Sequence, residues 1–159
     1  MGWANQAPIY VELVNTQPQD MGDTSLQAIE GMSATLTPAT YRVHVRLVGV
    51  CSTVAGTTYQ PGFLFTGSET SVILSSVDWL STGEGSSPVC TNDFGVTALN
   101  GLGQSPPSVG LLQSAWTDID GVLTVTETGL LSAAVASSAA GDNYHVFPGC
   151  VMEVVPVAA

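Results

Sequence analysis

Residues 40–50 read Thr-Tyr-Arg-Val-His-Val-Arg-Leu-Val-Gly-Val, and this stretch decides the fold class. Successive side chains of a β-strand point to opposite faces of the sheet. Arg42, His44 and Arg46 fall on one face, and apolar side chains fall on the other. The sequence therefore predicts a strand with one solvated and one buried face. Together with two valines near the C-terminus, its apolar side chains give a predicted core of Tyr41, Val43, Val45, Leu47, Val151 and Val155.

The rest of the chain has the same character. Short runs rich in Val, Thr, Leu and Tyr alternate with turn residues, which is typical of an all-β sandwich or barrel. Asp120-Gly121 predicts a turn, and residues 81–110 are predicted to be the least regular part. Residues 133–140 could form a helix by composition, but the flanking glycines and turn signals favour a strand with small side chains. Further strands are predicted at Phe63–Phe65, Thr70–Trp79, Val122–Val125, Leu130–Ser137, Tyr144–Phe147 and Cys150–Val157.

The first 25 residues differ in composition from the remainder of the chain. Residues 9–14 are strand-like, and residues 15–23 form a polar linker that contains Pro18. Two interpretations stay open. Residues 1–25 are an arm or linker that precedes a sandwich domain over residues 26–159, or residues 9–14 are the first strand of the sandwich itself.

Charge is scarce and one-sided. Charged residues make up 9% of the 159 positions, against about a quarter in ordinary soluble domains. Thirteen are acidic and two are basic, Arg42 and Arg46, so the formal net charge is −11. The absence of lysine excludes a Schiff-base lysine and the lysine of a P-loop, and the negative charge argues against nucleic acid as a partner. We also expect no membrane span and no secretion signal, because no apolar run is long enough and the N-terminus has no basic or apolar segment of the required kind.

Candidate catalytic and metal sites are weak. The chain has two histidines far apart in sequence, His44 and His145, and no GxSxG nucleophile motif. Asp118–Gly121 with Glu127 has part of the spacing of an EF-hand loop, but Trp116 stands where the first oxygen ligand is required. A turn whose aspartates accept backbone hydrogen bonds is the preferred interpretation. We therefore expect no enzymatic activity, no catalytic residue, no cofactor and no metal.

The three cysteines form neither a CxxC pair nor a plausible zinc set. Because their number is odd, one would remain unpaired even if a disulfide formed. Buried free thiols are the preferred interpretation for Cys51, Cys90 and Cys150.

Arg42, His44 and Arg46 are the unusual charge feature of the chain, because all of its strong positive charge lies on one strand face. One interpretation is that they lie on a solvated face and meet nearby carboxylates of the same chain. The other is that they meet acidic side chains of a neighbouring subunit and help to fix an assembly.

A family resemblance covers residues 26–157. Ile119-Asp120-Gly121-Val122-Leu123-Thr124, Gly129-Leu130-Leu131-Ser132 and Gly149-Cys150-Val151-Met152-Glu153-Val154 resemble the closing strands of many phage virion proteins, and residues 39–45 resemble an earlier strand of that group. The resemblance implies a tumour-necrosis-factor-like jelly roll that assembles as a homotrimer. Such domains occur as head decoration proteins and as C-terminal modules of tail or fibre proteins. No catalytic residue belongs to the pattern.

These observations predict a decoration protein on the outer surface of a phage capsid, with itself and the major capsid protein as partners. Predicted capsid contacts are in the N-terminal arm, at Ile9, Tyr10, Val11 and Leu13, where residues 9–14 add a strand to an exposed sheet edge of the capsid. Predicted subunit contacts are Arg42, His44, Arg46, Tyr144 and Phe147. The alternative is a tail-tip or fibre protein whose loops in residues 81–110 bind a host receptor. A hydrolase of cell-wall material is the third and weakest hypothesis.

Overall fold

The structure, a computed structural model, describes residues 7–14, 19–21, 23–51, 59–80, 89–99, 113–138 and 144–157. Within these ranges the chain is all-β and has no helix. The strands are β1 (Ile9–Glu12), β2 (Gln19–Met21), β3 (Gln27–Leu36), β4 (Ala39–Cys51), β5 (Tyr59–Phe65), β6 (Ser68–Leu80), β7 (Val89–Val96), β8 (Gln113–Glu127), β9 (Gly129–Ser137), β10 (Tyr144–Val146) and β11 (Val151–Pro156). The prediction of an all-β fold is confirmed.

The strands form two antiparallel sheets that fit a β-sandwich. Sheet A has the order β1-β11-β4-β8-β6-β7, and β10 adds to it by pairing with both β4 and β2. Sheet B has the order β3-β9-β5. The strong alternation of residues 40–50 explains why β4 lies at the centre of sheet A, between β11 and β8.

The core lies between the sheets, and β4 supplies much of it. Its predicted apolar face is confirmed, since Tyr41, Val43, Val45 and Leu47 are all buried. The opposite sheet contributes Ile29, Met32, Leu36, Phe63, Leu131 and Val135. Burial of aliphatic side chains of this size contributes about 1.5–3 kcal/mol each to folding.

The prediction for the last strand was wrong by one residue. Val151 and Val155 are half-buried, whereas Cys150, Met152 and Val154 are fully buried. The chain turns at Gly149, whose φ of 98° is a backbone conformation that side chains other than glycine rarely adopt. This turn sets the phase of β11, and valines at both odd and even positions had left that phase undetermined.

The predicted turn at Asp120-Gly121 is also wrong, because β8 continues through both residues to Glu127. Gly121 lies opposite Leu74 of β6, and a Cβ atom there would come within 2.4 Å of the Ile73 carbonyl oxygen. The glycine is required by close approach of the neighbouring strand, not by a change of chain direction.

The strand prediction for residues 133–140 is confirmed as far as Ser137, where β9 ends. This strand is buried on both faces from Leu131 onward. Its small side chains, Ala133, Ala134 and Ala136, fit a central strand that is covered on both sides.

Residues 9–14 belong to the sandwich. β1 pairs with β11 along Ile9–Glu12, and the Leu13 N–H donates to the Cys150 carbonyl oxygen at 2.8 Å. Of the two interpretations that the sequence left open, the structure places these residues as a first strand, at one end of sheet A. No break in the sheet marks the predicted boundary at residue 25, because β2 also pairs within sheet A.

Candidate interaction surface

The outer face of sheet A, which points away from sheet B, brings together the charged side chains that the sequence singled out. Antiparallel pairing aligns Glu153 of β11, His44 of β4 and Asp120 of β8 in one row across the sheet. The next row contains Arg46 and Asp118. We call Arg42, His44, Arg46, Asp118, Asp120 and Glu153 the charged strip. Its members come from three adjacent strands, so the register of the sheet fixes their order.

Arg46 and Asp118 form the best-defined ion pair of the strip. The Arg46 Nε–H donates to Asp118 Oδ1 at 2.7 Å, and Nη2–H donates to Oδ2 at 3.2 Å. This two-point geometry matches the planar guanidinium to the carboxylate. The hydrogen-bonded carboxylate raises the pKa of Arg46 further above its ordinary value, so the guanidinium keeps its positive charge.

Asp120 is shared between the side chains of His44 and Arg42. Its Oδ1 lies 3.1 Å from His44 Nδ1 and 3.7 Å from Arg42 Nη2. A carboxylate only accepts hydrogen bonds, so Nδ1 of His44 carries the proton of that bond. Arg42 holds the looser position, because 71% of its side-chain surface remains exposed.

An open depression of about 410 Å³ lies over this part of the strip. It is lined by Arg42, His44, Asp120, Glu153 and Val155. Glu153 is exposed, and neither arginine is within ion-pair distance of it among the described contacts. The depression therefore has a loosely held guanidinium on one side and a carboxylate on the other.

Apolar side chains border the charged strip on the same face. Val122 of β8 and Ile73 of β6 lie in register beside Arg42 and are 39% and 53% exposed. At the other end, Trp116 lies opposite Val48 and is 46% exposed. Large apolar side chains next to one another on an exposed face are typical of a surface that binds a partner.

The predicted subunit-contact residues do not all have the same surroundings in the structure. Arg42, His44 and Arg46 share the outer face and meet carboxylates of their own chain, as the first of the two interpretations has it. Phe147 is half-buried beside β4, where its N–H donates to the Val48 carbonyl oxygen at 2.9 Å. Tyr144 belongs to β10, but its side chain lies outside the described part of the structure.

The predicted capsid contacts need a correction. Leu13 is buried in the core, and Ile9 and Val11 pack against that core, because alternation along β1 turns these side chains inward. Leu13 is therefore closed to contact with another molecule, whereas Ile9 and Val11 are half-buried. Tyr10 lies opposite Glu153 on the outer face and is 63% exposed.

Sequence reasoning missed a polar cluster on the inner face of sheet A. Tyr59 Oη–H donates to Thr117 Oγ1, and Thr117 Oγ1–H donates to Asp78 Oδ1, both at 2.5 Å. All three residues are at most 1% exposed. The chain has no lysine, and both arginines lie on the opposite face, so hydroxyl groups take the place of a cation. The sequence did indicate a buried carboxyl, because Asp78 lies on the same face of its strand as the apolar Val72 and Leu74.

Nothing in the described residues resembles a metal centre, because no group of three or more His, Cys, Asp or Glu side chains is suitably arranged there. The predicted turn, in which Asp118 and Asp120 accept backbone hydrogen bonds, is wrong. Both residues lie on a continuous strand and accept hydrogen bonds from side chains. Cys150 is a buried free thiol, as predicted. The structure does not describe residues 52–58, 81–88 or 100–112, so most of the predicted receptor-binding loops and the Cys51 and Cys90 side chains fall outside it.

Comparison with known proteins gives no family. No protein-family model matches the chain, and no curated protein is significantly similar to it. None of the described residues forms a helix of the length and apolarity needed to cross a membrane.

Proposed function

We propose that this protein is a phage capsid decoration protein that forms a homotrimer on the outer surface of the head and stabilises contacts between major capsid subunits. The observation that carries the proposal is the outer face of sheet A. It combines exposed Trp116, Ile73 and Val122 with the only arginines of the chain.

Charge favours another copy of the chain as the occupant of this face. Two molecules with a net charge of −11 repel each other. Both arginines lie on the outer face of sheet A, beside Asp118, Asp120 and Glu153, and the chain has no lysine, so the strong positive charge of the chain lies on this face. Copies that meet through this face experience the least repulsion.

The face is also large enough. The eight strands of sheet A contain 65 residues, and at about 3.3 Å per residue and about 4.8 Å between strands they cover roughly 1,000 Å². A standard interface buries about 800 Å² on each partner.

The path of the chain is compatible with a jelly roll. β3, β5 and β9 belong to sheet B, and the strands that follow each of them, β4, β6 and β10, belong to sheet A. The chain thus passes repeatedly between the two sheets. This path supports a jelly roll, and the trimer is proposed from the resemblance of residues 26–157 to phage virion proteins.

The capsid contact is assigned to the free edge of β1. This strand lies at the end of sheet A and has one edge unpaired among the described strands. Its backbone can pair with a strand of the major capsid protein, and Tyr10 supplies an exposed side chain. A protein that binds only the assembled shell stabilises that shell by mass action, and three linked copies increase the avidity.

Two matched variants test the proposed face. Ile73→Ser removes an exposed apolar side chain from sheet A, and Leu130→Ser removes one of similar exposure, 42%, from β9 of sheet B. We expect light scattering to give three times the chain mass of 16.3 kDa for the wild type and Leu130→Ser, and a lower mass for Ile73→Ser. Equal masses for the two variants would show that sheet A is not the subunit contact.

Binding to phage heads tests the location. The trimer is mixed with undecorated heads, and protein that sediments with the particles is measured for the wild type and for Tyr10→Ala. We expect saturable binding of many copies per head, weakened by Tyr10→Ala, and greater resistance of the decorated heads to heat. Absence of binding to heads would overturn the decoration function even if the trimer forms.

Trp116 favours a second candidate function, that of a tail-tip or fibre protein that binds a host surface glycan. Its exposed ring lies next to the Arg46–Asp118 pair along β8, and aromatic rings beside fixed polar groups suit sugar recognition. Copy number distinguishes the two candidates, because a decoration protein is present in many copies per virion and a tail-tip protein in a few.

A further inference from the structure

We propose that Arg42 of one copy forms an ion pair with Glu153 of the neighbouring copy when the outer faces of sheet A meet. This inference rests on the proposed self-assembly and identifies the charged contact within it. The two side chains line the same depression.

The two arginines of β4 differ in how far their own chain satisfies them. Arg46 makes two hydrogen bonds to Asp118, at 2.7 and 3.2 Å. Arg42 has one contact, at 3.7 Å, with an oxygen that already binds His44 at 3.1 Å. A guanidinium has five N–H donors in a rigid arrangement, so Arg42 retains most of its capacity for a second carboxylate.

Glu153 offers the matching acceptor. It lies on β11, on the side of His44 opposite Asp120. Arg42 is directed toward Asp120 of β8, so it does not pair with Glu153 of its own chain. Each copy therefore presents a cation and an anion on opposite sides of one histidine.

This arrangement is self-complementary under rotation. An axis through the depression brings Arg42 of each copy toward Glu153 of the next, and a three-fold axis closes the contacts into a ring of three pairs. Without such pairs, the meeting faces would bring the acidic side chains of the charged strip together. At an interface, removal of one partner of such a pair leaves the other charge buried and unpaired, which weakens binding.

A charge reversal tests the pair. We compare Arg42→Glu, Glu153→Arg and the double variant, with Glu30→Arg at an exposed position of β3 in sheet B as a control that changes the net charge by the same +2 as Glu153→Arg. The dissociation constant of the oligomer is measured by analytical ultracentrifugation, and circular dichroism checks the fold. We expect each single variant on the charged strip to weaken assembly by about tenfold or more, the double variant to restore most of the affinity, and Glu30→Arg not to weaken it.

The outcomes separate this inference from the proposed function. If both single variants assemble as the wild type does while Ile73→Ser does not, the ion pair is wrong and the face is right. Failure of the double variant to recover also overturns the pair. A wild-type protein that is monomeric at every concentration overturns both the pair and the proposed self-assembly.

Discussion

The two faces of β8 show how one strand serves two environments. Its outward side chains are Trp116, Asp118, Asp120 and Val122, and its inward positions are Thr117, Ile119, Gly121 and Leu123. The outward acids contact His44 and Arg46 of β4, and these side chains are partly exposed to water. Among the inward positions of residues 117–123 the polar residue is Thr117, which bonds to Tyr59 and Asp78 in the core. Stability thus resides on the inward face, and the outward face is left free to bind.

The largest expected difference between the faces is between neighbouring residues. Leu123 is 1% exposed and Val122 is 39% exposed. We expect Leu123→Ala to lower the free energy of unfolding by about 2–5 kcal/mol, because it leaves a cavity in the core. With the chain dissociated at low protein concentration, so that no subunit contact covers the outer face, Val122→Ala changes the free energy of unfolding by about 0.5 kcal/mol or less. Urea denaturation measures both, and similar losses would contradict the assignment of the two faces.

The buried polar cluster gives the next largest effect. Thr117→Val keeps the shape of the side chain but removes the hydroxyl that donates to Asp78. We expect a loss of about 1–3 kcal/mol, because a buried carboxyl loses its donor. Tyr59→Phe leaves that bond in place and costs about 1 kcal/mol. Urea denaturation measures both losses. A larger loss for Tyr59→Phe than for Thr117→Val would show that the hydrogen bond from Thr117 is not what stabilises the buried Asp78 carboxyl.

Cys150, a buried residue of the core, makes the stability of the folded chain depend on pH in the alkaline range. Burial raises the pKa of its thiol, and the hydrogen bond from the Val48 N–H opposes that shift in part. The folded chain therefore holds the thiol proton more tightly than the unfolded chain does. The resulting stabilisation is complete below the ordinary thiol pKa and is lost as the pH rises through the folded value.

The measurement compares melting temperatures of the wild type and Cys150→Ser from neutral to alkaline pH. The serine variant has no thiol at this position to titrate. We expect the wild type to lose its advantage over the variant as the pH rises. A constant difference would mean that Cys150 makes no contribution to the pH dependence.

The smallest expected effect is on the outward face. Arg46→Gln removes the ion pair with Asp118. The Arg46 side chain is 54% exposed. Exposed pairs contribute about 0–1 kcal/mol, so thermal denaturation of the monomer should change little and should become insensitive to the substitution at high salt. A loss as large as that of Thr117→Val would show that the outward face contributes to folding as much as the core does.

The sequence predicted those parts of the fold that depend on local alternation. The phase of β4 was evident because apolar and charged side chains alternate from Tyr41 to Leu47. The phase of β11 was not, because valines occur at both odd and even positions and the turn at Gly149 decides between them. The role of Gly121 was hidden because the atom that excludes a Cβ there belongs to Ile73, on another strand.

The sequence predicted which side chains of β4 lie together on the outer face, but it did not predict the aspartates that bind them. Arg42, His44 and Arg46 belong to one strand, so alternation alone places them together. Asp118 and Asp120 are more than 70 residues away and meet them only through the register of β4 with β8. Asp78 likewise depends on Thr117, which is 39 residues away. The pairing of residues 9–14 with the last strand of the chain is longer in range than any of these contacts.

The central claim is that copies of this chain meet through the outer face of sheet A. Hydrogen–deuterium exchange of the wild type at low and high protein concentration tests it most directly, because it requires no substitution. We predict that protection rises with concentration in peptides from β4, β8 and β6 and does not change in peptides from β3 and β5. Protection that rises in sheet B alone, or in neither sheet, would contradict it.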